Sequence, residues 1–575
     1  MSSMALAIGF VLLVGAFFKT QVVQYKQFVM QSEENRLRPI PLPAPRGIIY
    51  DRHGEVIAEN LPAYSVSITA PSVDSLRSAL AQLAPTLQLG QNDINNAIRR
   101  YRRAPTRPTV VLADASIDIV SVLEEHRLDF PRLIIQSVPK RYYPDGPSVA
   151  SFVGYTGEIT ESDLNDPKYA SYKPGQQIGK AGLEKQYEAI LHGKEGVRFD
   201  EVDARGRPVR GEGPRPDLNP EGAPPLYTNI DLDLQKFTVG LFADSLQGGA
   251  VAIDPNTGEV LALYSAPSWD PNKFTGGIPV EYYKQLLEDK RRPLVNKAIQ
   301  GTYPPGSTFK LATSIIALEA GVVGIHEHMT VPCTGGYQFG NRYFRCWDKK
   351  GHGSLDLEGA IKHSCDVYFY PLGLKIGLAR FLAGGIKLSM RDRSGIDLPE
   401  ESQARWPYAI EYYNKKYGAR GWSNASTLNL AIGQGENSQT VINMAKLYSA
   451  FASKGQAPRP EVAHLVPQRK QVFSLTLQQD SAVLEGLKAV LEAGGTAGAS
   501  AIQGLTLAGK TGTAQNTGGD DHGWFVGFAP ADKPKIVVAI LLEFGLHGSR
   551  AAHIASAIIG HYLKVGPIKA TMDEG

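Results

Sequence analysis

Little in this 575-residue sequence is extreme, and each scarcity excludes something. Three cysteines, Cys333, Cys346 and Cys365, are too few for a fold stapled throughout by disulfides. Neither sign of charge dominates: 60 lysines and arginines face 57 acidic residues, and a net charge of +3 gives no reason to invoke nucleic acid or another polyanion. No repeat of solenoid or propeller period occurs, and the 38 prolines and 59 glycines are spread through turns rather than gathered in tracts. The chain is therefore neither an array nor a fibre. Long apolar runs are missing everywhere except at the start.

What is present is globular. With 43% hydrophobic and 20% charged residues, a chain of this length calls for two folded domains or more. Its one long apolar run is "MALAIGFVLLVGAFF", Met4 to Phe18, 15 residues without a charge and followed by Lys19. It is short for a full span, yet no small-residue cleavage site follows it, and "KTQVVQYKQF" continues as an amphipathic segment. The expectation is an uncleaved, single-pass anchor in the cytoplasmic (inner) membrane rather than a signal peptide. Missing upstream residues would explain its length and the lack of a basic flank. The remaining chain would then be one ectodomain in the periplasm or extracytoplasmic space.

After the run, "RPIPLPAPRG" (Arg38 to Gly47) is a proline-stiffened connector, and "GIIYDRHGEVIAEN" predicts a β-hairpin around Asp51 to Gly54. Apolar residues at helical spacing predict helices within Asp74 to Tyr101 and Ile117 to His126. "GKAGLEKQYEAILHGKEG" predicts one helix with glycines at each end. Proline and glycine then concentrate ahead of "PLYTNID", which places a domain boundary near Leu226. Beyond it, "LQGGAVAIDPNTGEVLALYS" is two strands around an Asn-Thr-Gly turn, while "HGWFVGFAP" and "KIVVAILLEF" are strands near the end, closed by the helix "ASAIIGHYL". Strands from both ends of one domain, with helices between, predict an α/β (α+β) sandwich. The expected partition is anchor 1–20, first folded domain 21–225, second domain 226–566 and tail 567–575.

Chemistry enters with "YPPGSTFK", Tyr303 to Lys310. An isolated S-x-x-K occurs by chance about once or twice in a chain this long, and Ser307 alone would read as a helix cap. Residues i and i+3 share a helix face, however, so Lys310 can bring its amine beside the Ser307 hydroxyl and take its proton if held neutral. Two further pieces decide the matter. "KHSCDVYFY" supplies Ser364 and Asp366 as S-x-D, and "LAGKTGTAQ" supplies Lys510, Thr511, Gly512 and Thr513 on a predicted edge strand. Each alone has a plain structural explanation: a helix hydroxyl, a solvated carboxylate, a strand end. In the order S-x-x-K, S-x-D, K-T-G across one domain they are a strong signal.

With these motifs the sequence resembles the penicillin-binding proteins and serine β-lactamases. "RGIIYDRHGEVIAEN" and "GKAGLEKQYEAILHG" resemble the elongated pedestal (dimerisation) domain of class B penicillin-binding proteins. "GGAVAIDPNTGEVLALYSAPSWDPN" and "LAIGQGENSQT", Leu430 to Thr440, resemble parts of their transpeptidase domain. The resemblance implies a central antiparallel sheet flanked by helices. It also implies a serine acyl-enzyme D-Ala-D-Ala transpeptidase that cross-links peptidoglycan stem peptides and is acylated by β-lactams. By that resemblance Ser307 attacks the peptide carbonyl, Lys310 is its base, and Ser364 with Lys510 relays a proton to the leaving D-alanine. Thr511 and Thr513 hold the donor carboxylate, and the N–H groups of Ser307 and Thr513 form the oxyanion hole. Asp366 stands where most of the family has asparagine; an ionised carboxylate only accepts hydrogen bonds, so it should pair with Lys310.

The cysteines leave two readings open: a disulfide plus a spare thiol, or, with His352, a C-x12-C-x5-H-x12-C array suited to a closed structural zinc site. That spacing matches no standard zinc finger. Resemblance tips the balance to Zn2+ on Cys333, Cys346, His352 and Cys365, with Asp348 as the competing ligand, because elongation-type class B enzymes include members with a zinc site beside the catalytic serine. The same features favour the elongation type over a division-specific class B enzyme, and no glycosyltransferase motif suggests a bifunctional class A protein. Family analogy implies a RodA-type SEDS glycosyltransferase and MreC as partners.

Competing readings are weaker. A secreted β-lactamase would need a deacylating glutamate; "ESDLN", Glu161 to Asn165, matches such a pattern but precedes Ser307 instead of lying between the second and third motifs. A β-lactam sensor or scaffold would carry extra spans and a cytoplasmic effector, which this chain lacks. His522, after K-T-G at the mouth of a strand, reads better as a surface or substrate-edge residue than as a base. "RGRPVR", Arg205 to Arg210, reads as a solvated loop rather than a lipid-phosphate contact.

Overall fold

Asp51 organises the first folded region. In the computed structural model, which describes residues 2–25, 37–105, 107–130, 132–201, 216–242, 245–516 and 519–565, its Oδ1 accepts the N–H groups of His53 and Glu55 at 2.7 and 2.8 Å. This carboxylate-centred turn joins β1 (Ile49–Tyr50) to β2 (Val56–Ile68), the predicted hairpin. Oδ2 of the same side chain accepts the Leu232 N–H at 3.2 Å, tying the hairpin to the helix Leu232–Gly240. Beyond the hairpin, β2 is flanked by β3 (Thr109–Ala115) and β4 (Leu133–Tyr142), both antiparallel to it.

The predicted helices form as Val73–Leu87, Gln91–Arg103 and Ile117–Glu125. Leu76, Leu80, Leu83 and Leu87 make the buried stripe of the first, and Ser72 and Ser116 cap the first and third through their hydroxyls. One expectation is corrected: residues 179–196 hold not one helix but two short ones, Gly182–Gln186 and Glu188–Leu191. Contact explains the break. A Cβ on Gly182 would lie 2.5 Å from the Phe152 carbonyl oxygen, and Glu184 and Glu188 are fully buried against arginines from elsewhere in the chain.

The strand expected to open the second domain, β5 (Leu226–Tyr227), pairs in parallel with β1, so the chain returns to the pedestal sheet before leaving it. The second sheet then runs β7-β6-β10-β9-β8, built from β6 (Gly248–Ile253), β7 (Val260–Ala266), β8 (Ala508–Ala514), β9 (His522–Ala529) and β10 (Ile536–Leu542). Every neighbouring pair is antiparallel, and strands from both ends of the domain meet where β6 pairs with β10. All residues of β6, β9 and β10 are buried, which requires cover on both faces; the helices Val441–Ala452 and Gly548–Tyr562 pack against these strands. The K-T-G strand β8 is an edge, as its motif suggested, so one side of its backbone is left for the cleft.

The N-terminal run forms a 17-residue helix, Ser2–Phe18, with exposed apolar side chains. At 1.5 Å per residue it is about 26 Å long, short of the roughly 30 Å of a bilayer core. Among the described residues no helix is long and apolar enough to cross a membrane. The Arg205 to Arg210 loop and the 567–575 tail lie outside the described residues.

Candidate active site

Three stretches distant in sequence meet through their backbones, and glycine makes the meeting possible. Gly306 has φ +54°, and a Cβ there would lie 2.5 Å from the Thr513 carbonyl oxygen. A Cβ on Gly512 would lie 2.9 Å from the Pro305 oxygen, and one on Gly433 only 2.1 Å from the Gly306 oxygen. The Gly306 N–H donates to the Gly433 carbonyl at 3.0 Å. Tyr303 exchanges two backbone bonds with Gln439, at 2.9 and 2.8 Å, and its hydroxyl donates to Glu543 at 2.7 Å. The serine turn, the segment at Gly433 and K-T-G are thus pinned to one another.

Ser307 lies in the helical turn Gly306–Phe309, which runs directly into the helix Lys310–Glu319. No side chain caps either, so the capping explanation for Ser307 fails, and the residue stays partly open to the cleft. Lys310 is fully buried and donates to three acceptors: the Ser364 carbonyl at 2.7 Å, the Ser364 hydroxyl at 3.2 Å and Asp366 Oδ1 at 2.7 Å. The pairing of Lys310 with Asp366 expected from the aspartate variant is therefore present. Asp366 opens the helix Asp366–Ile376, where the helix dipole favours a carboxylate, and its Oδ2 accepts the Trp347 N–H at 3.3 Å. Ser364 sits just before it at φ +53°, a left-handed conformation that is costly for a residue with a Cβ and that aims both its oxygens at the lysine.

Lys510 enters from β8. It is fully buried, and among the described residues its amine makes one hydrogen bond, to the Thr511 carbonyl at 3.3 Å. Burial first, then the charge of Lys310, hold its amine well below the usual lysine range. Thr511 contacts a residue that the sequence did not single out: its Oγ1 is 2.6 Å from that of Thr496. Thr513 remains partly exposed, with its carbonyl 3.4 Å from the Gln434 amide.

The cysteines are free, so the disulfide alternative is not realised. Cys333, Cys346, His352 and Cys365 instead converge, with one ligand atom from each inside a 4.8 Å span. His352 Nδ1 is 3.6 Å from Cys333 Sγ and 3.6 Å from Cys346 Sγ. Hydrogen bonding between Cys346 and Cys365 draws the Cys346 thiol well below its ordinary range and pushes that of Cys365 up. Asp348 is not in the group; its Oδ1 accepts the Lys350 N–H at 2.8 Å, closing its own turn. Trp347 bridges cluster and motif, its indole donating to the His363 carbonyl at 2.9 Å.

Two distractors fall away. His522 is buried, its Nδ1 accepts the Phe544 N–H at 3.1 Å, and burial lowers its pKa, so it is a neutral structural acceptor. Glu161 begins a short helix, Glu161–Leu164, capped by Thr160 in the pedestal.

Comparisons with known proteins agree with this geometry. The family model of the penicillin-binding protein transpeptidase domain matches residues 248–560, and that of the penicillin-binding protein dimerisation domain matches residues 41–219. The chain is 32% identical to the peptidoglycan D,D-transpeptidase MrdA of Acinetobacter baumannii, covering 96% of this chain and 85% of that relative. It is similar to penicillin-binding protein 2 from Helicobacter pylori, solved in complex with MreC, with a TM-score of 0.81 and 27% identity over 92% of this chain and 99% of that one. A chain of a peptidoglycan synthase complex, in a structure concerned with coordinated polymerization and crosslinking, gives a TM-score of 0.72 and 29% identity over 99% of both chains. Matched along nearly its whole length and carrying the three motifs in one cleft, the chain belongs to the penicillin-binding protein transpeptidases, the family of the peptidoglycan D,D-transpeptidases.

Proposed function

We propose that Ser307 is the acylated nucleophile of a D,D-transpeptidase that cross-links stem peptides during cell-wall elongation. The observation that carries the assignment is the contact of Lys310 with Ser364 and Asp366, one turn from Ser307, where the serine turn abuts the Thr513 backbone on the open edge of the sheet. Lys310, in its neutral form with two N–H bonds left to donate, accepts the Ser307 proton on its free lone pair as Oγ bonds to the carbonyl carbon between the two D-alanines. The oxyanion is held by the Ser307 and Thr513 N–H groups, whose backbones meet at Gly306. Collapse breaks the C–N bond, and the leaving D-alanine amine takes a proton through Ser364, which hydrogen-bonds Lys310. An acceptor amine then attacks the ester, loses a proton by the same path and returns Ser307 to the hydroxyl. The low proton affinity of Lys510 suits it to exchanging that proton, and Thr511, backed by Thr496, binds the donor carboxylate.

The pedestal spans residues 21–225 and the catalytic domain 226–566 in this scheme, with residues 1–20 as the anchor of a protein in the cytoplasmic membrane. MreC and a SEDS glycosyltransferase of the RodA type are the proposed partners, in line with the complexes in which the relatives were solved. Cys333, Cys346, His352 and Cys365 fit a structural zinc ion. Bond lengths of about 2.3 Å to sulfur and 2.0–2.1 Å to nitrogen at tetrahedral angles place S and N about 3.5 Å apart, against the 3.6 Å found. Bound there, the ion would supply rigidity through Cys365 to its neighbours Ser364 and Asp366. Metal content with one zinc per chain, lost together with thermal stability in Cys333→Ser, is the expected result.

Intact-mass measurement after brief exposure to a penicillin tests the central assignment. A single adduct that persists for hours, absent in Ser307→Ala, is expected. Rapid loss of the adduct with turnover of the drug would indicate a β-lactamase, and no adduct on folded protein overturns the assignment.

A further inference from the structure

Away from the catalytic cleft, a cavity of about 670 Å³ lies in the pedestal, bounded by β2, β3, β4, residues 155–160 and residues 274–278. Its size falls within the roughly 300–1,000 Å³ of small-ligand sites. Seven lysines and arginines line it, Arg100, Arg103, Arg107 and Arg141 among them, against only two acidic residues, Glu158 and Glu195. Glu184, Glu188, Asp114 and Asp163, which pair with the other cations, are not part of the lining. With those four counted the seven cations face six carboxylates, so the surplus positive charge of the wall is that of Arg103.

The wall also carries unused polar groups. Arg141 is 4% exposed; its Nε donates to Glu184 at 2.6 Å, while Nη1 and Nη2 are buried without a hydrogen-bond partner among the described residues. Gln136 Oε1 and Thr109 Oγ1, from residues lining the same cavity, are likewise buried and unpaired. A buried charged group with unmade bonds is costly, and three such residues around one cavity are more than a folded wall needs for itself. Arg103 is exposed and makes no ion pair among the described residues.

We propose that this cavity is a second ligand site, which takes a small molecule bearing a carboxylate or phosphate, with Arg141 as the buried anchor and Arg103 as the first contact. Peptide carboxylates and lipid phosphates share this chemistry. The proposal stands apart from the catalytic assignment.

Calorimetric titration of the full chain with an acidic stem-type pentapeptide, a short-chain phosphatidylglycerol below its micelle concentration, and inorganic phosphate separates the sources. Protein first acylated with penicillin keeps the peptide out of the catalytic cleft. Saturable binding of the peptide or the lipid is expected, weakened tenfold or more in both Arg103→Glu and the cavity-filling Ala113→Trp, with Ser307 acylation unchanged. The proposal is overturned if neither organic probe binds, if both variants bind as the parent does, or if inorganic phosphate binds as well as the organic probes, which would mean an adventitious ion only. Failure to acylate would count against Ser307 alone, and the cavity would still be read from the two variants with the lipid probe.

Discussion

Two buried ionic clusters, one in each domain, show what charge balance does. In the pedestal, Arg46 and Arg141 face Glu184 and Glu188, two charges against two. Arg46 Nη2 reaches Glu188 and the Glu184 carbonyl at 2.6 and 2.8 Å, and the Gly179 N–H donates to Glu188 at 2.7 Å. The acids there are satisfied, and both are held below their ordinary range. In the catalytic domain, Lys310 and Lys510 share a single carboxylate, Asp366. Burial first, and then the charge of Lys310 that the one carboxylate does not offset, leave Lys510 ready to give up its proton. A balanced cluster locks a fold, whereas an unbalanced one holds a proton loosely enough to move it.

The largest expected effect comes from emptying the unbalanced cluster. Lys310→Met should cut the rate of penicillin acylation by about 10²–10⁴-fold, the span of a lost general base, with the melting temperature little changed. Stopped-flow acylation beside a thermal melt checks it; an equal loss of stability would make Lys310 structural instead. The reverse outcome is expected in the pedestal. Glu184→Ala strands the buried Arg141, while Arg46 keeps Glu188, and should cost about 3–5 kcal/mol in chemical unfolding, while the folded fraction acylates normally. A catalytic defect without a stability loss would erase the distinction between the clusters.

The unbalanced cluster was the more legible in sequence. S-x-x-K, S-x-D and K-T-G are short, local patterns, and the substitution of aspartate for asparagine announced the contact with Lys310. The four zinc-type ligands fell within one 33-residue stretch, and the edge position of K-T-G followed from strand patterning. The balanced cluster was invisible, because Arg46 and Glu184 are 138 residues apart and each looks like a surface charge until the fold buries it. The same holds for Thr496 beside Thr511 and for the left-handed backbone at Ser364, which no residue preference marks. The broken helix at residues 179–196 has a related cause: Gly182 starts the first short helix at a close backbone contact with Phe152, 30 residues away, which helical spacing alone does not reveal.

Acid separates the clusters next. Burial works against ionisation of Glu188, but its bonds to His192 and Arg46 hold it at about 2, against 4.5 when unfolded. The native state therefore binds fewer protons than the unfolded one between those values, and its stability falls as pH drops through that window, by up to about 3 kcal/mol. Lys510 has the same sign in another window: its native amine is depressed below 10.5, so its contribution grows as pH rises from the depressed value toward 10.5. Melting curves from pH 2 to 10 should show the acid loss in the parent and a smaller one in Glu188→Gln.

The finest test is Asp366→Asn. The amide keeps an oxygen for Lys310 and removes the only carboxylate that favours protonation of Lys510. Lys510 then loses its proton still more readily, so the acid limb of the acylation profile should move to lower pH, by about one unit or less. The rate on the plateau should survive, because the base and its geometry are retained. An acid limb that stays in place would mean that Lys510 does not set it, and that the shortage of negative charge around the two lysines has no part in moving the proton.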